Sequence, residues 1–178
     1  TTLLKPQTME ISMPSDKEDI KEENQSQVAA SKAITILIDE NNTLYYFKGK
    51  PTGGTDIPNE GKLFQTTYGK NGIRKMLLES NPQAVKAVEA LKAKYARMQT
   101  SNVQQEQKQK AQYKEDLNKI KNAEYTPSVI IKASDKATYD NLIQVLDEMQ
   151  ICSVGRYVID KFAEGDRAKI DALKNGTA

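Results

Sequence analysis

Hydrophobic and polar side chains alternate near the start of the chain. Residues 9–13 run Met-Glu-Ile-Ser-Met, which is the two-residue period of a β-strand, and Pro14 ends the pattern. Residues 15–27 are acidic and almost without apolar side chains, as in segments that cannot build a core. We therefore predict that residues 1–31 form an extended, flexible tail, in which segment 9–14 becomes a strand only when it meets a partner.

A second alternating pattern predicts a β-hairpin. Isoleucine occupies every second position of Ala33–Ile38, Thr43–Phe47 is rich in aromatic side chains, and the polar residues Asp39–Asn42 favour a turn between them. Residues 48–72 then contain six of the nine glycines, but their spacing fits neither the dinucleotide-binding motif nor the P-loop. This stretch is predicted to be a connecting loop without a nucleotide site.

Apolar residues at helical spacing dominate the region 70–124. A short helix begins near Ile73, and Asn81-Pro82 offers an N-cap and a first helical residue for the next helix. Apolar residues then recur up to Met98 and again from Tyr113 onward, without the sustained heptads of a coiled coil. We predict an inserted pair of helices packed on the domain.

The clearest pattern is a strand–helix–strand unit in the last third of the chain. An apolar strand at 128–133, a helix at about 137–150 with Ser134-Asp135 as capping residues, and a strand at 157–160 predict parallel strands with a right-handed crossover. Asp166 can cap a last short helix. The predicted core-facing residues of the long helix are Tyr139, Leu142, Ile143, Leu146 and Met149.

Together these elements predict an α+β fold. It consists of a small mixed β-sheet with helices packed on one face, an inserted helical segment at about 70–124 and the extended N-terminal tail. The predicted division is a tail at 1–31 and one domain at 32–178.

The amino-acid composition limits the kinds of catalytic and metal site that the chain can form. The 178 residues include no His, no Trp and a single Cys. Histidine is the commonest general base and metal ligand, so its absence excludes the usual catalytic triads and most transition-metal sites. Cys152 follows an apolar residue after the long helix, which favours a small core residue over an intermolecular disulfide. We predict no catalytic residue, no metal, no cofactor and no enzymatic activity.

Charge is unevenly distributed along the chain. The net charge is −3 for residues 1–31 and +6 for residues 70–124, against +2 overall. A basic helical region is typical of a solvated helix face, and less often of a surface that meets nucleic acid or a membrane. We favour the solvated face, because Tyr95 and Tyr113 lie at helical core spacing and do not form a stacking platform.

Two parts of the chain resemble the ExbD/TolR family. Val129–Asp135, Tyr139 and Leu142–Asp147 follow the family's pattern of a strand ending in a small residue and Asp, then a helix with an early Tyr. Arg156–Asp160 fits the next strand, and Met9–Pro14 is similar to the segment that lies just outside the family's transmembrane helix. The resemblance covers residues 1–50 and 125–161.

The chain also departs from that pattern. After the long helix the family usually has Ala-Gly, whereas this chain has Ile151–Gly155. Residues 70–124 are longer than in compact members, as in forms associated with Bacteroidota-like bacteria.

The resemblance implies a role without chemistry. In the family, a transmembrane helix that carries the proton-conducting Asp precedes the periplasmic domain. We therefore expect such a helix before Thr1. We also expect Asp135 to be a helix cap and Asp147 to be a solvated or locally bonded carboxylate. The implied protein is a single-pass inner-membrane protein that forms a homodimer inside an ExbB-like ring. It would bind a TonB-like protein in the periplasm and couple the proton motive force to outer-membrane transport.

The predicted partner-binding surface is a sheet edge that accepts an extended segment as an added strand. A TolR-like subunit of a Tol-Pal system, concerned with outer-membrane integrity and peptidoglycan, remains an alternative with the same fold. A small α+β nucleic-acid-binding domain is the second alternative, supported by the aromatic residues at 45–47, although we expect no nucleic-acid partner. The predicted partner-binding residues are Met9, Ile11, Met13, Pro14, Tyr157, Val158 and Ile159.

Overall fold

A computed structural model describes residues 32–54 and 57–176, so the predicted tail strand Met9–Pro14 lies outside the described residues. The strands within these ranges are β1 (Ala33–Ile38), β2 (Leu44–Lys48), β3 (Phe64–Thr66), β4 (Ser128–Ala133) and β5 (Tyr157–Lys161). The helices are α1 (Ile73–Glu79), α2 (Pro82–Ala96), α3 (Val103–Lys121), α4 (Tyr139–Ile151) and α5 (Glu164–Lys174).

The strands form one mixed sheet in the order β3-β2-β1-β4-β5. β1 and β2 make the predicted antiparallel hairpin, and β1, β4 and β5 run parallel to one another. Asn41 and Asn42 in the hairpin turn both have a φ of 58°, a conformation that asparagine tolerates and that matches the twist of tight hairpins. The predicted α+β fold with a mixed sheet is confirmed.

Strand β3 was not predicted. It lies inside the 48–72 stretch, which we had interpreted as a connecting loop, and it pairs antiparallel with β2. Three residues are too few to show an alternating pattern. Phe64 is held there by stacking on Tyr46, with ring centroids 5.5 Å apart.

Helices cover both faces of the sheet, not only one as predicted. Ile36 and Ile38 of β1 face a large core formed with α1 and α4, whereas Leu37 faces the other side. There α5 covers the sheet, because Ile170 packs into a smaller core with Leu37. The alternation of a strand thus gives each face of β1 its own apolar layer. The other residues of the smaller core are Tyr45, Phe47, Leu63, Phe162 and Leu173.

The buried face of α4 differs from the predicted one. Leu142, Val145 and Met149 are at most 2% exposed, whereas the predicted core residues Tyr139, Ile143 and Leu146 are only partly buried. The helix is rotated because two of its polar residues are also buried, each with a partner from elsewhere in the chain. The Asn141 amide donates to Asn42 Oδ1 at 2.7 Å, and Glu148 Oε1 accepts from Arg74 Nε at 2.8 Å.

The predicted cap of α4 is wrong, whereas Asn81 is the N-cap residue of α2 and Pro82 begins that helix, as predicted. Thr138, not Ser134-Asp135, caps α4, since its hydroxyl accepts the Asn141 N–H at 3.1 Å while Asn141 Oδ1 accepts the Thr138 N–H. The Asn81 side chain itself makes no capping hydrogen bond to α2. Asp166 accepts the Ala163 N–H at 2.8 Å, at the start of α5 as predicted.

The Asn81 side chain instead holds the turn after α4. Its amide donates to the carbonyls of Cys152 and Ser153 at 3.0 and 3.1 Å. Ser153 has a φ of 60°, and the Val154 N–H donates to Met149 O at 2.9 Å, which together form a Schellman-type helix end. Ser153 therefore occupies the left-handed position that a glycine adopts most easily.

Candidate partner-binding edge

Strand β5 contains the predicted partner-binding residues Tyr157, Val158 and Ile159, and it lies at one edge of the sheet. It pairs with β4 alone, with Tyr157 opposite Val129 and Ile159 opposite Ile131. An edge strand presents backbone donors and acceptors on its outer side, which natural proteins usually block. The state of that outer side therefore decides whether β5 can receive another strand.

The backbone of β5 directs alternate residues outward. Val129 N–H donates to Arg156 O at 2.9 Å, so position 156 faces β4. Backbone groups of successive strand residues point to opposite sides. The backbone N–H and C=O groups therefore point to the outer edge at Tyr157, Ile159 and Lys161. Of these, the Lys161 N–H is occupied by Asp160 Oδ1 at 2.8 Å. Within residues 32–54 and 57–176, the outward groups of Tyr157 and Ile159 have no strand beside them.

One side chain of β5 is buried in the core, and others are partly exposed. Ile159 is 4% exposed and belongs to the larger core, whereas Tyr157 and Val158 are partly exposed. The strand is thus fixed from one face, and its backbone can pair at the edge without losing that packing. Met9, Ile11, Met13 and Pro14 lie outside the described residues, and their predicted pairing stays a prediction.

The start of β5 is fixed by the segment that follows α3. Arg156 donates to Ala123 O at 3.2 Å and to Ser128 Oγ at 3.0 Å. Gly155 N–H donates to Lys121 O at 3.1 Å, and a Cβ on this glycine would lie 2.7 Å from Lys121 Cβ. Only glycine permits so close an approach. The entry to the edge strand is therefore rigid.

Helix α5 leaves the outer side of β5 uncovered. Although it follows β5 in the chain, its contacts lie across the sheet. Arg167 binds Asp39 at the end of β1, and Lys169 Nζ donates to Gly61 O at 2.6 Å and lies 5.0 Å from the centre of the Phe47 ring. A helix that directly follows an edge strand can fold back and cover that edge. The position of α5 on β1 and β2 favours an accessible edge.

The opposite edge, β3, is less suited to strand addition. It is three residues long, and Lys62 Nζ lies 5.4 Å from the centre of the Phe64 ring beside it. Short edge strands and edge lysines are common devices against unwanted pairing. This edge was missed in the sequence because β3 itself was missed.

The described residues contain no arrangement suited to metal chemistry. No group of three or more His, Cys, Asp or Glu side chains comes together among them. Cys152 is buried, and burial raises the pKa of its thiol to about 12, which fits the predicted inert core residue. Asp147 is exposed, as expected of a solvated carboxylate.

Comparison with protein families gives one match. The family model described as biopolymer transport protein ExbD/TolR matches residues 1–163 of the 178. The chain belongs to the ExbD/TolR family. The ExbD/TolR match spans the tail, the whole sheet and the helices α1 to α4, and it ends just before α5. Neither the search of curated proteins nor the search of solved structures gave a match.

Membership of the ExbD/TolR family makes the protein an accessory component of biopolymer transport, in a membrane-associated family whose members are not enzymes. Among the helices that the structure describes, none has both the length and the apolar character that a bilayer crossing requires.

Proposed function

We propose that this ExbD/TolR protein is the periplasmic part of a TonB-type energy-transduction subunit. In this proposal it is anchored in the inner membrane by a single helix before Thr1 and works as a homodimer within an ExbB-like ring. Its task is to bind a TonB-like protein in the periplasm and to couple the proton motive force to outer-membrane transport. The family match supports the transport role, and the exposed edge of β5 supports the mode of binding.

The binding mode follows from the geometry of β5. An extended, Pro-containing segment pairs with the outward backbone groups of Tyr157 and Ile159, and the partly exposed Tyr157 and Val158 side chains supply specificity. Each backbone hydrogen bond contributes about 0.5–1.5 kcal/mol net. Few bonds of this size make a complex that forms and dissociates readily, as a cycling transducer requires. The same edge can pair with Met9–Pro14 of a second copy.

A titration followed by NMR tests the proposal. The 15N-labelled chain receives a synthetic TonB-like periplasmic segment, and in parallel a TolA-like segment. We expect the TonB-like segment to shift the amides of residues 157–161 and their β4 neighbours. A response to the TolA-like segment alone would assign the protein to a Tol-Pal system. Shifts confined to residues 82–121 would contradict binding at the edge.

Tyr157→Pro supplies a second test. Position 157 begins the strand and directs its N–H outward, so proline removes a partner-facing donor while the bonds to β4 remain. We expect this variant to melt below the wild-type temperature, because the Tyr157 ring also packs against the larger core, but to remain folded and to lose the response to the peptide. Lys161→Pro is the matched control, because it removes an outward N–H that is already occupied by Asp160 and so is not offered to a partner. Equal binding by all three chains would contradict strand addition.

A further inference from the structure

Helices α2 and α3 form a helical hairpin, residues 82–121, that exposes most of its surface. α3 has no buried residue, and α2 buries only Ala84, Val88 and Leu91. Between the two helices, the Tyr95 and Tyr113 rings meet edge to face at 5.2 Å and the Tyr95 hydroxyl donates to Asp116 at 2.9 Å. The outer surface of the helical hairpin is thus available to another segment.

That surface is strongly basic. Residues 82–121 contain nine Lys or Arg and four Asp or Glu, a net charge of +5. Two lysines form ion pairs with glutamates on the same helix, at 3.4 and 4.0 Å, and such exposed pairs neutralise little of the field. Within the described part of the chain, the other seven cations make no ion pair. They are Lys86, Lys92, Lys94, Arg97, Lys108, Lys114 and Lys121.

The opposite charge is present in the same chain. Residues 16–23, the acidic segment, contain five Asp or Glu and two Lys, a net charge of −3. Eight residues, 24–31, separate it from Lys32, whose Nζ donates to Glu124 O at 2.7 Å, three residues beyond the end of α3. The chain therefore enters the domain at the base of the helical hairpin.

The extended length of the linker 24–31 is close to the length of α3. An eight-residue linker extends to at most about 26–29 Å, and α3, with 19 residues, is roughly 28 Å long. The acidic segment can therefore reach most of α3, and a fully extended linker brings it to the far end of that helix. Because it is tethered, its effective concentration at the helical hairpin is of millimolar order, so even a weak attraction keeps it bound.

We propose that the helical hairpin is a docking surface for the acidic segment of its own chain. Docking shortens the free part of the tail. If the protein is anchored as proposed above, docking removes residues 16–31, about 53–58 Å of extended chain, from the length that separates the anchor from the domain. Docking and release thus set how far the domain can move from its anchor. The docking itself does not depend on the proposed partner.

Paramagnetic relaxation in the full chain tests the docking. A nitroxide is attached to Gln25→Cys, next to the acidic segment, while the buried Cys152 stays unreactive. At about 20 mM NaCl, where the Debye length is ~20 Å, we expect strong broadening of amides along α3. At about 500 mM NaCl, where it is ~4 Å, the broadening should largely vanish.

Two charge variants test the docking surface and the acidic segment, and a third is the control. Neutralising four acids (Glu18→Gln, Asp19→Asn, Glu22→Gln, Glu23→Gln) should abolish the broadening, and Lys108→Gln with Lys114→Gln should weaken it. Asp140→Asn with Asp147→Asn, on the exposed side of α4, should leave it unchanged. The proposal would be overturned if the broadening is the same at both salt concentrations and is also unchanged in the four-acid variant. So would broadening that appears only between a labelled chain and a separate 15N chain, since a second copy would then be the occupant.

Discussion

Asp39 at the end of β1 and Arg167 on α5 are joined by two parallel hydrogen bonds of 2.8 and 2.9 Å. The Asp39 side chain is 1% exposed and also accepts a bond from the Ser134 hydroxyl at 2.8 Å, so both carboxylate oxygens have hydrogen-bond partners. The contact holds α5 against the centre of the sheet. Only one of the two residues, Asp39, lies within the range that the ExbD/TolR model matches, because Arg167 follows residue 163.

Loss of Arg167 should destabilise the fold. Arg167→Gln leaves a buried carboxylate without its counter-charge, and we expect a loss of about 2–4 kcal/mol, toward the low end for buried pairs because Arg167 is partly exposed. Arg167→Lys should give an intermediate loss, since lysine cannot form two parallel bonds. Urea unfolding measures both. Lys136→Gln, in the exposed pair with Glu40 at 3.9 Å, is the control and should cost about 0.5 kcal/mol or less. Equal effects of Arg167→Gln and Lys136→Gln would contradict a structural role for the buried pair.

The same pair should make stability depend on pH. The bonds from Arg167 hold the pKa of Asp39 well below its ordinary value, against the opposing effect of burial. A lowered pKa stabilises the fold above the ordinary carboxyl value of about 4, and this contribution is lost as the pH falls below it. Unfolding of wild type and Arg167→Gln should therefore differ most near neutral pH and converge in acid. A difference that stays constant between about pH 6 and pH 3 would contradict this assignment.

The core of α4 offers a test of the observed helix rotation. Leu142 is 2% exposed, whereas Leu146 packs only partly against the same core. Leu142→Ala should cost about 2–5 kcal/mol, and Leu146→Ala about half of that or less. The sequence pattern alone had predicted Leu146 to be a full core residue. Thermal or urea unfolding of the two variants distinguishes the two faces, and a larger effect at Leu146 would favour the original prediction.

The sequence predicted those elements whose signal lies within the element itself. β1 has isoleucine at every second position, β4 contains three consecutive apolar residues, and the parallel strand–helix–strand unit follows from spacing alone. Helix rotation and capping were predicted less well, because Asn141 and Asn81 are committed to distant partners, Asn42 and the Cys152 carbonyl. Such pairings depend on the assembled sheet and leave no local pattern.

The same difference between local signals and long-range contacts applies to the candidate edge strand β5. An apolar strand at 157–159 was visible in the sequence, but its edge position required the order of all five strands. Whether α5 covers it depends on Arg167 reaching Asp39, 128 residues earlier in the chain. Long-range contacts of this kind decide accessibility, and accessibility decides whether an edge strand can bind.

The turn after α4 gives the last prediction. Ser153 has a φ of 60°, a conformation that costs a non-glycine residue about 1–2 kcal/mol. Asn81 holds this turn by its bonds to the Cys152 and Ser153 carbonyls, and neither bond involves the Ser153 side chain. Ser153→Gly should therefore stabilise the protein by about 0.5–1 kcal/mol, with some of the gain offset by the larger entropy of the unfolded chain. Asp147→Gly, in the exposed middle of the same helix, is the matched control and should destabilise it by about 1 kcal/mol. If both glycine variants lower the urea midpoint, the left-handed turn at Ser153 is not the stable conformation in solution.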